Sequence, residues 1–227
     1  MIKLVLVRHG QSFWNLENRF TGWTDVGLSQ KGVEEAREAG NLILKNGIKV
    51  DVAFTSVLIR ATQTLDLICS TLKQKFPIYK SWKLNERHYG ALQGLNKADA
   101  EKQFGKERVH LWRRSAQTTP PLLSQDDERN PKFDELYKKV SEPLPLGESL
   151  NDTILRVDDY FQNFMKKHIK SRQTALVVAH GNSLRGLIKI LENLSDEQIE
   201  KVELATGEPI CYTLDDNFSV VEKSFLK

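Results

Sequence analysis

The 227-residue chain predicts an α/β fold, with a mostly parallel central sheet flanked by helices on both faces. Two observations carry the prediction. Short β-branched apolar runs recur along the chain, and segments with a helical apolar period separate them. Strands alternating with helices of that length pair in parallel through helical crossovers, which cover both faces of the sheet. A third observation bears on ligands. One strand-end pattern occurs twice, as LVLVRHGQS at 4–12 and ALVVAHGNS at 175–183.

In chain order, strands are predicted at Ile2–Val7, Val50–Thr55, Ile78–Trp82, Ala175–Ala179, Ile210–Leu214 and Ser219–Glu222. The first helix spans Ser29–Asn46, with Val33, Ala36, Ala39, Ile43 and Leu44 near one face, Ser29 as N-cap and Gly47 as the stop. Val57–Lys75 repeats the pattern through Leu58, Ala61, Leu65, Ile68 and Leu72. Ser149–Lys167 does so through Leu150, Ile154, Val157, Phe161 and Phe164. Asn182–Asn193 follows the second His-Gly directly, and Ser195 caps a short helix over 195–202. Residues 115–148 differ: they hold five of the seven prolines, Pro120, Pro121, Pro131, Pro143 and Pro145, with little apolar period. No comparable second domain lies beyond them. They read as a long excursion from one domain spanning 1–227, placed to act as a lid after Arg113 and Arg114.

Composition narrows the function classes. With 40% hydrophobic and 28% charged residues, the chain is ordinary for a soluble globular protein. A net charge of +3 with no basic run gives no footprint for nucleic acid. The first apolar run is too short for a signal peptide and is interrupted at Arg8, and no stretch approaches a membrane span. Cys69 and Cys211 have no metal-ligand spacing and read as free thiols of a reducing, cytoplasmic compartment.

The two His-Gly strand ends concentrate the chemistry. In open α/β sheets ligands bind outside the carboxyl ends of the strands, so His9 and His180 are expected at the same edge. Each is followed by a glycine that lets backbone approach a ligand. Arg8 adds a fixed positive fork suited to phosphate or carboxylate. Arg60 in TSVLIRATQT, Arg87 in LNERHYG, and Arg113–Arg114 in LWRRS extend the cationic set, although any one of them alone fits a solvated helix face. Such a group suits phosphoryl transfer, where catalysis is mostly positioning and stabilisation of spread negative charge. The chain has no G-x-x-x-x-G-K-[ST] loop and no acidic cluster spaced for Mg²⁺. A neutral histidine can instead attack phosphorus directly, given a separate proton carrier. Glu86 is the candidate; its spacing equally allows an ion pair with Arg87.

These residues match a known family pattern. LVRHGQS resembles the N-terminal signature of the histidine phosphatase superfamily. Further segments resemble its cofactor-dependent phosphoglycerate mutases: NRFTGWTDVGLSQKG, TSVLIRATQT, SWKLNERHYGALQGLNK, WRRS, ESL before a helix, AHGNSLRGL and TGEP. They fall in that family's order and cover nearly the whole chain. The resemblance implies a phosphoglycerate mutase-like fold and His9 as the nucleophile that becomes phosphohistidine. Glu86 becomes the general acid/base, and His180, Arg8 and Arg60 stabilise the phosphoryl in transit. It places Gly10, Ser12, Asn15, Thr21 and Gly22 in the pocket, and has Arg87, Tyr89, Lys97, Arg113 and Arg114 hold the substrate carboxylate and second phosphate. Gly181 and Asn182 complete the phosphate cradle at a helix start. It further implies priming by 2,3-bisphosphoglycerate, a small anionic phosphoglycerate substrate, no metal, and a homodimer or homotetramer; the strand Ile78–Trp82 with its following segment is a candidate interface.

Gln11 stands where many relatives carry Glu, and Phe13 is bulkier than the polar residue expected there. The chain stops at Lys227, where longer relatives carry a Lys/Ala-rich tail, which motivates the alternative of a histidine-type phosphatase hydrolysing small phosphate esters. A third reading is a non-catalytic phosphate- or phosphopeptide-binding module. The remaining histidines, His88, His110 and His168, read as structural or surface residues, and Trp14, Trp23, Trp82 and Trp112 as packing.

Overall fold

The computed structural model describes residues 1–227. Strand β1 is Ile2–Arg8 and is followed by a single helical turn, α1 (Phe13–Leu16), whose N-cap Ser12 forms a reciprocal capping box with Asn15. Then come α2 (Gln30–Lys45), β2 (Val52–Thr55), α3 (Ile59–Leu72) and β3 (Ile78–Lys80). Two helices follow, α4 (Lys97–Phe104) and α5 (Lys106–Arg114), separated by Gly105 at φ 88°. After an irregular stretch, α6 (Leu150–Tyr160) runs through a π turn (Phe161–Met165) into α7 (Lys166–His168). Strand β4 (Thr174–Ala179) leads into α8 (Gly181–Glu192), then α9 (Asp196–Glu200), β5 (Pro209–Leu214) and β6 (Val220–Phe225) close the chain.

The six strands form one mixed sheet in the order β3-β2-β4-β1-β5-β6. The first four in that order are parallel; β5 and β6 join antiparallel. Alternation along β1 builds both faces, as the strand period of two requires. Leu4 and Leu6 pack with Val157 and Tyr160 of α6 and Leu184, Leu187 and Ile188 of α8. Val5 and Val7 pack with Ala39 and Ile43 of α2 and Leu65, Ile68 and Leu72 of α3. The α/β expectation and its helix-covered faces therefore hold. Ser29, Ser149 and Ser195 are side-chain N-caps of α2, α6 and α9.

Several local expectations are corrected. Leu44 is exposed rather than on the core stripe of α2. His168 is half-buried, stacked on Phe164 with ring centroids 4.1 Å apart. Helices α4 and α5 escaped the apolar-period reading because their buried side is narrow: Ala100, Val109 and Trp112 share a small separate cluster with Phe20 and Leu92. The Pro-rich stretch 115–148 is held by buried Leu123, Asn130, Pro131 and Tyr137, with Tyr137 Oη accepting from Asn85 Nδ2 at 2.9 Å. No helix is long and apolar enough to cross a membrane.

Candidate active site

Strands β1 and β4 are parallel neighbours, with Arg8 paired to Ala179. Their following chains diverge, β1 toward β2 on one side and β4 toward β5 on the other, so this edge is the topological switch point where α/β sheets bind ligands. His9 and His180 leave it side by side, ring centroids 4.9 Å apart in an edge-on arrangement. Both are essentially buried. His9 Nδ1 donates to the Gly10 carbonyl at 2.7 Å, which fixes the tautomer and leaves Nε2 with its lone pair. Burial first, then the charges of Arg60 and Arg8, push the His9 pKa well below the ordinary range. His9 is therefore neutral at physiological pH, as a nucleophile requires. Burial and Arg60 act on His180 in the same direction; its Nε2 pairs with Ser56 Oγ at 2.7 Å.

In front of His9 lies a cavity of about 230 Å³, below the ~300–1,000 Å³ usual for drug-sized ligands, so it suits a compact one. Its wall carries seven cationic side chains, Arg8, Arg19, Arg60, Lys97, Arg113, Arg114 and Arg185, against two carboxylates, Glu86 and Glu203. Arg60, expected in the site, is 1% exposed and lines the cavity. It donates to the carbonyls of Gly22 (2.6 Å) and Thr24 (3.0 Å), and burial lowers its pKa to about 10, leaving it cationic. Burial, then Arg113 and Arg8, bring Lys97 down to about 8. Such an excess of cations over carboxylates on one cavity wall is the electrostatic complement of a polyanion.

Glu86 Oε1 accepts from the backbone N–H groups of Arg87 (2.7 Å) and Asn182 (3.1 Å), the latter in the first turn of α8. The other oxygen, Oε2, is left for the cavity. A Cβ added at Gly181 would sit 3.6 Å from Arg8 Nε and 3.7 Å from Glu86 Oε2, so the bare glycine keeps space open between the two groups. Arg8 Nε, Thr21 Oγ1 and His180 Nδ1 are buried without a protein partner. Buried orphans of this kind are costly unless a ligand satisfies them. Arg8 and Thr21 line the cavity, and an anion with several oxygens is a group that would satisfy such donors.

Asn15, Thr21, Gly22, Tyr89, Gly181 and Asn182 also line the cavity as expected. Four expected residues do not. His180 packs edge-on against the His9 ring, and Ser12 is buried as the cap of α1. Arg87 is fully buried and donates to the carbonyls of Glu148 and Thr118. Gly10 serves packing instead of ligand approach. A Cβ there would meet the Gly32 carbonyl oxygen at 2.1 Å, so the two glycines let the His9 loop lie against α2. Nor does any residue of 115–148 line the cavity; the stretch packs against the Glu86 segment, with Tyr137 on Asn85 and Glu148 on Arg87.

The model of the histidine phosphatase superfamily, branch 1, matches residues 4–141 and 123–225. The chain belongs to the histidine phosphatase superfamily. A Treponema denticola protein named 2,3-bisphosphoglycerate-dependent phosphoglycerate mutase is 49% identical over 99% of this chain and 92% of its own length. Among solved structures, the α-ribazole phosphatase of Shigella flexneri superposes with a TM-score of 0.75 at 19% identity, covering 99% of this chain and 96% of that one. A mycobacterial glucosyl-3-phosphoglycerate phosphatase gives 0.72 at 21%, covering 98% and 96%. Those two likenesses carry the superfamily fold and nothing finer.

Within this histidine phosphatase superfamily chain, sequence reasoning missed Arg19, Arg185 and Glu203. Arg185 had a usable signal, since it lies one turn beyond Gly181 on α8 and so shares its face. It donates to Asn182 Oδ1 at 3.1 Å. Glu203 had none. It arrives from the loop after α9 and pairs with Arg114 at 2.7 Å and Arg185 at 3.6 Å.

Proposed function

We propose that the protein is a 2,3-bisphosphoglycerate-dependent phosphoglycerate mutase, interconverting 3-phosphoglycerate and 2-phosphoglycerate through phospho-His9. The observation that carries this reading is the pairing of two anion-binding groups in one small cavity. Arg8, Arg60 and the Gly181 gap surround the nucleophile, while Lys97, Arg113 and Arg114 supply a second cationic group. A substrate with two anionic ends can be retained there while its phosphoryl group moves. The name of the 49%-identical relative supports the same reading.

The residues present fit 2,3-bisphosphoglycerate: the orphaned Arg8 Nε and Thr21 Oγ1 of the cavity wall offer groups for phosphate oxygens. Bound, it supplies the phosphoryl group that primes the enzyme. His9 Nε2 takes that group, and Arg8 and Arg60 of the cavity wall hold the spread charge of the transferring phosphoryl, with His180 edge-on against the His9 ring. Glu86 takes the proton from the acceptor hydroxyl as the phosphoryl leaves His9. It returns that proton to the leaving oxygen when the other phosphoryl goes back to His9, which regenerates both groups. Lys97, Arg113 and Arg114 hold the carboxylate and distal phosphate in both orientations.

The test is phosphorus NMR on 3-phosphoglycerate with and without a trace of 2,3-bisphosphoglycerate. The expected result is 2-phosphoglycerate, accelerated by the trace, without matching release of inorganic phosphate; His9→Ala removes the activity. Accumulating inorganic phosphate would instead support the second reading, a histidine-type phosphatase.

A further inference from the structure

The loop that presents Glu86 is held by a buried ion pair that touches neither cavity nor ligand. Arg156 of α6 and Glu148 are almost wholly buried, and they pair through Nε–Oε1 at 2.7 Å and Nη2–Oε2 at 2.9 Å. The rest of the Arg156 fork goes to backbone: Nη1 donates to the carbonyls of Lys83 (2.8 Å) and Asn85 (2.9 Å), and Nη2 to that of Glu86 (2.9 Å). All five guanidinium donors are thereby used, a match to the planar fork that lysine cannot reproduce. On the far side of Glu86, Glu148 Oε2 accepts the His88 N–H at 2.7 Å. Trp23 Nε1 adds a second donor to the Glu86 carbonyl at 2.6 Å.

A buried ion pair is weak evidence for stability, because desolvating the charges offsets their attraction. This one is spent on the backbone either side of a single cavity residue. Of residues 83–88, Glu86 alone lines the cavity. With its peptide pinned from both sides, its carboxylate can shift only by its own side-chain torsions, and Oε1 is already held by two N–H groups. We infer that Arg156, through Glu148, is the positioning residue for the proton-transfer carboxylate, so that its loss impairs the proton step of phosphoryl transfer and spares the phosphoryl step itself. The inference rests on the reading of Glu86 as proton carrier.

The two steps separate by choice of phosphoryl donor. In either case the His9 Nε2 lone pair attacks phosphorus and the P–O ester bond breaks. With 2,3-bisphosphoglycerate the leaving alkoxide oxygen takes a proton from the Glu86 carboxyl. With 2,4-dinitrophenyl phosphate the phenolate departs with the electron pair and needs no proton. Single-turnover phosphorylation of His9 is measured with both donors in the native enzyme, Arg156→Lys, Trp23→Phe and Glu86→Gln. Misplacing a reacting group by an ångström costs about 10²-fold. Arg156→Lys is expected to lose roughly that factor with 2,3-bisphosphoglycerate, and to stay within about threefold with the aryl phosphate. Trp23→Phe removes one donor while keeping an aromatic ring, so it shows a smaller loss of the same selectivity; it serves should Arg156→Lys fail to fold. Equal slowing with both donors, or with neither, overturns the positioning role when Glu86→Gln does discriminate between them. If Glu86→Gln does not discriminate, the proton-carrier reading falls, and the inference with it.

Discussion

Lys97 gives a pH dependence whose size follows from its surroundings. Its ammonium sits in the cavity wall, where burial and the charges of Arg113 and Arg8 lower its pKa to about 8. A bound polyanion supplies the missing counter-charge and restores the protonated form, so binding takes up a proton wherever free Lys97 has lost one. Affinity then tracks the protonated fraction of the free enzyme, which falls from about nine-tenths at pH 7 to about one-tenth at pH 9. The expected result is a rise of about tenfold in KM for phosphoglycerate, or in Kd for 2,3-bisphosphoglycerate, across those two units. The window isolates this group: phosphate monoesters complete their second ionisation at lower pH, with pKa about 6, and Arg60 titrates only near 10. Calorimetric titration in buffers of different ionisation heat measures both the affinity and the proton uptake. Lys97→Arg keeps the charge throughout, and its affinity should be flat over the same range. A flat native profile, or the same slope in Lys97→Arg, would refute the reasoning.

Gly10→Ala should destabilise the fold by ~1–3 kcal/mol or more, since its methyl meets the Gly32 carbonyl, a backbone atom that cannot swing aside; urea denaturation reads the shift, and an unchanged midpoint would contradict the close packing. Acid should destabilise the protein early. His9, His180 and His88 are all held below their ordinary pKa, chiefly by burial, His88 at about 3. The unfolded chain therefore binds more protons below about pH 6.5, and stability present above that pH falls by up to ~1.4 kcal/mol per pH unit for each histidine; denaturation midpoints that do not change between pH 7.5 and pH 5 would count against buried neutral rings. Glu203→Gln releases Arg114 and Arg185 from a carboxylate that is 69% exposed, so only about 0.2–1 kcal/mol is at stake after solvent screening. The corresponding outcome is a Kd for 2,3-bisphosphoglycerate tighter by no more than about fivefold at low salt, with the gain fading as salt rises; weaker binding would mean that Glu203 orders the arginines instead of competing for them.

The strands, the major helices and the two His-Gly ends were legible because each is written in a short window. Alternation puts Leu4 and Val5 on opposite faces wherever the strand lies, and Ser29, Ser149 and Ser195 cap helices through atoms three residues away. The site was legible for a different reason: its motifs are local in sequence, so His9, Glu86, Arg113 and Arg114 could be named before their distances were known. Arg60 shows the limit of that reading. It was named with the others, but its burial and its bonds to the carbonyls of Gly22 and Thr24 depend on a distant segment.

Sequence by itself determined the α/β class, the edge of the sheet where a ligand belongs, and the residue types available for phosphoryl transfer, because periodicity and strand-end placement are properties of contiguous chain. Only the tertiary structure decided which groups share a dielectric and a hydrogen bond. It set His9 neutral through burial beside Arg60 and Arg8, and turned Gly10 from a ligand contact into a helix contact. It brought Glu203 to the cavity mouth, and fixed Glu86 from a helix some 70 residues downstream. Those outcomes depend on desolvation and on contacts between segments far apart in the chain, and neither is written in any local stretch of residues.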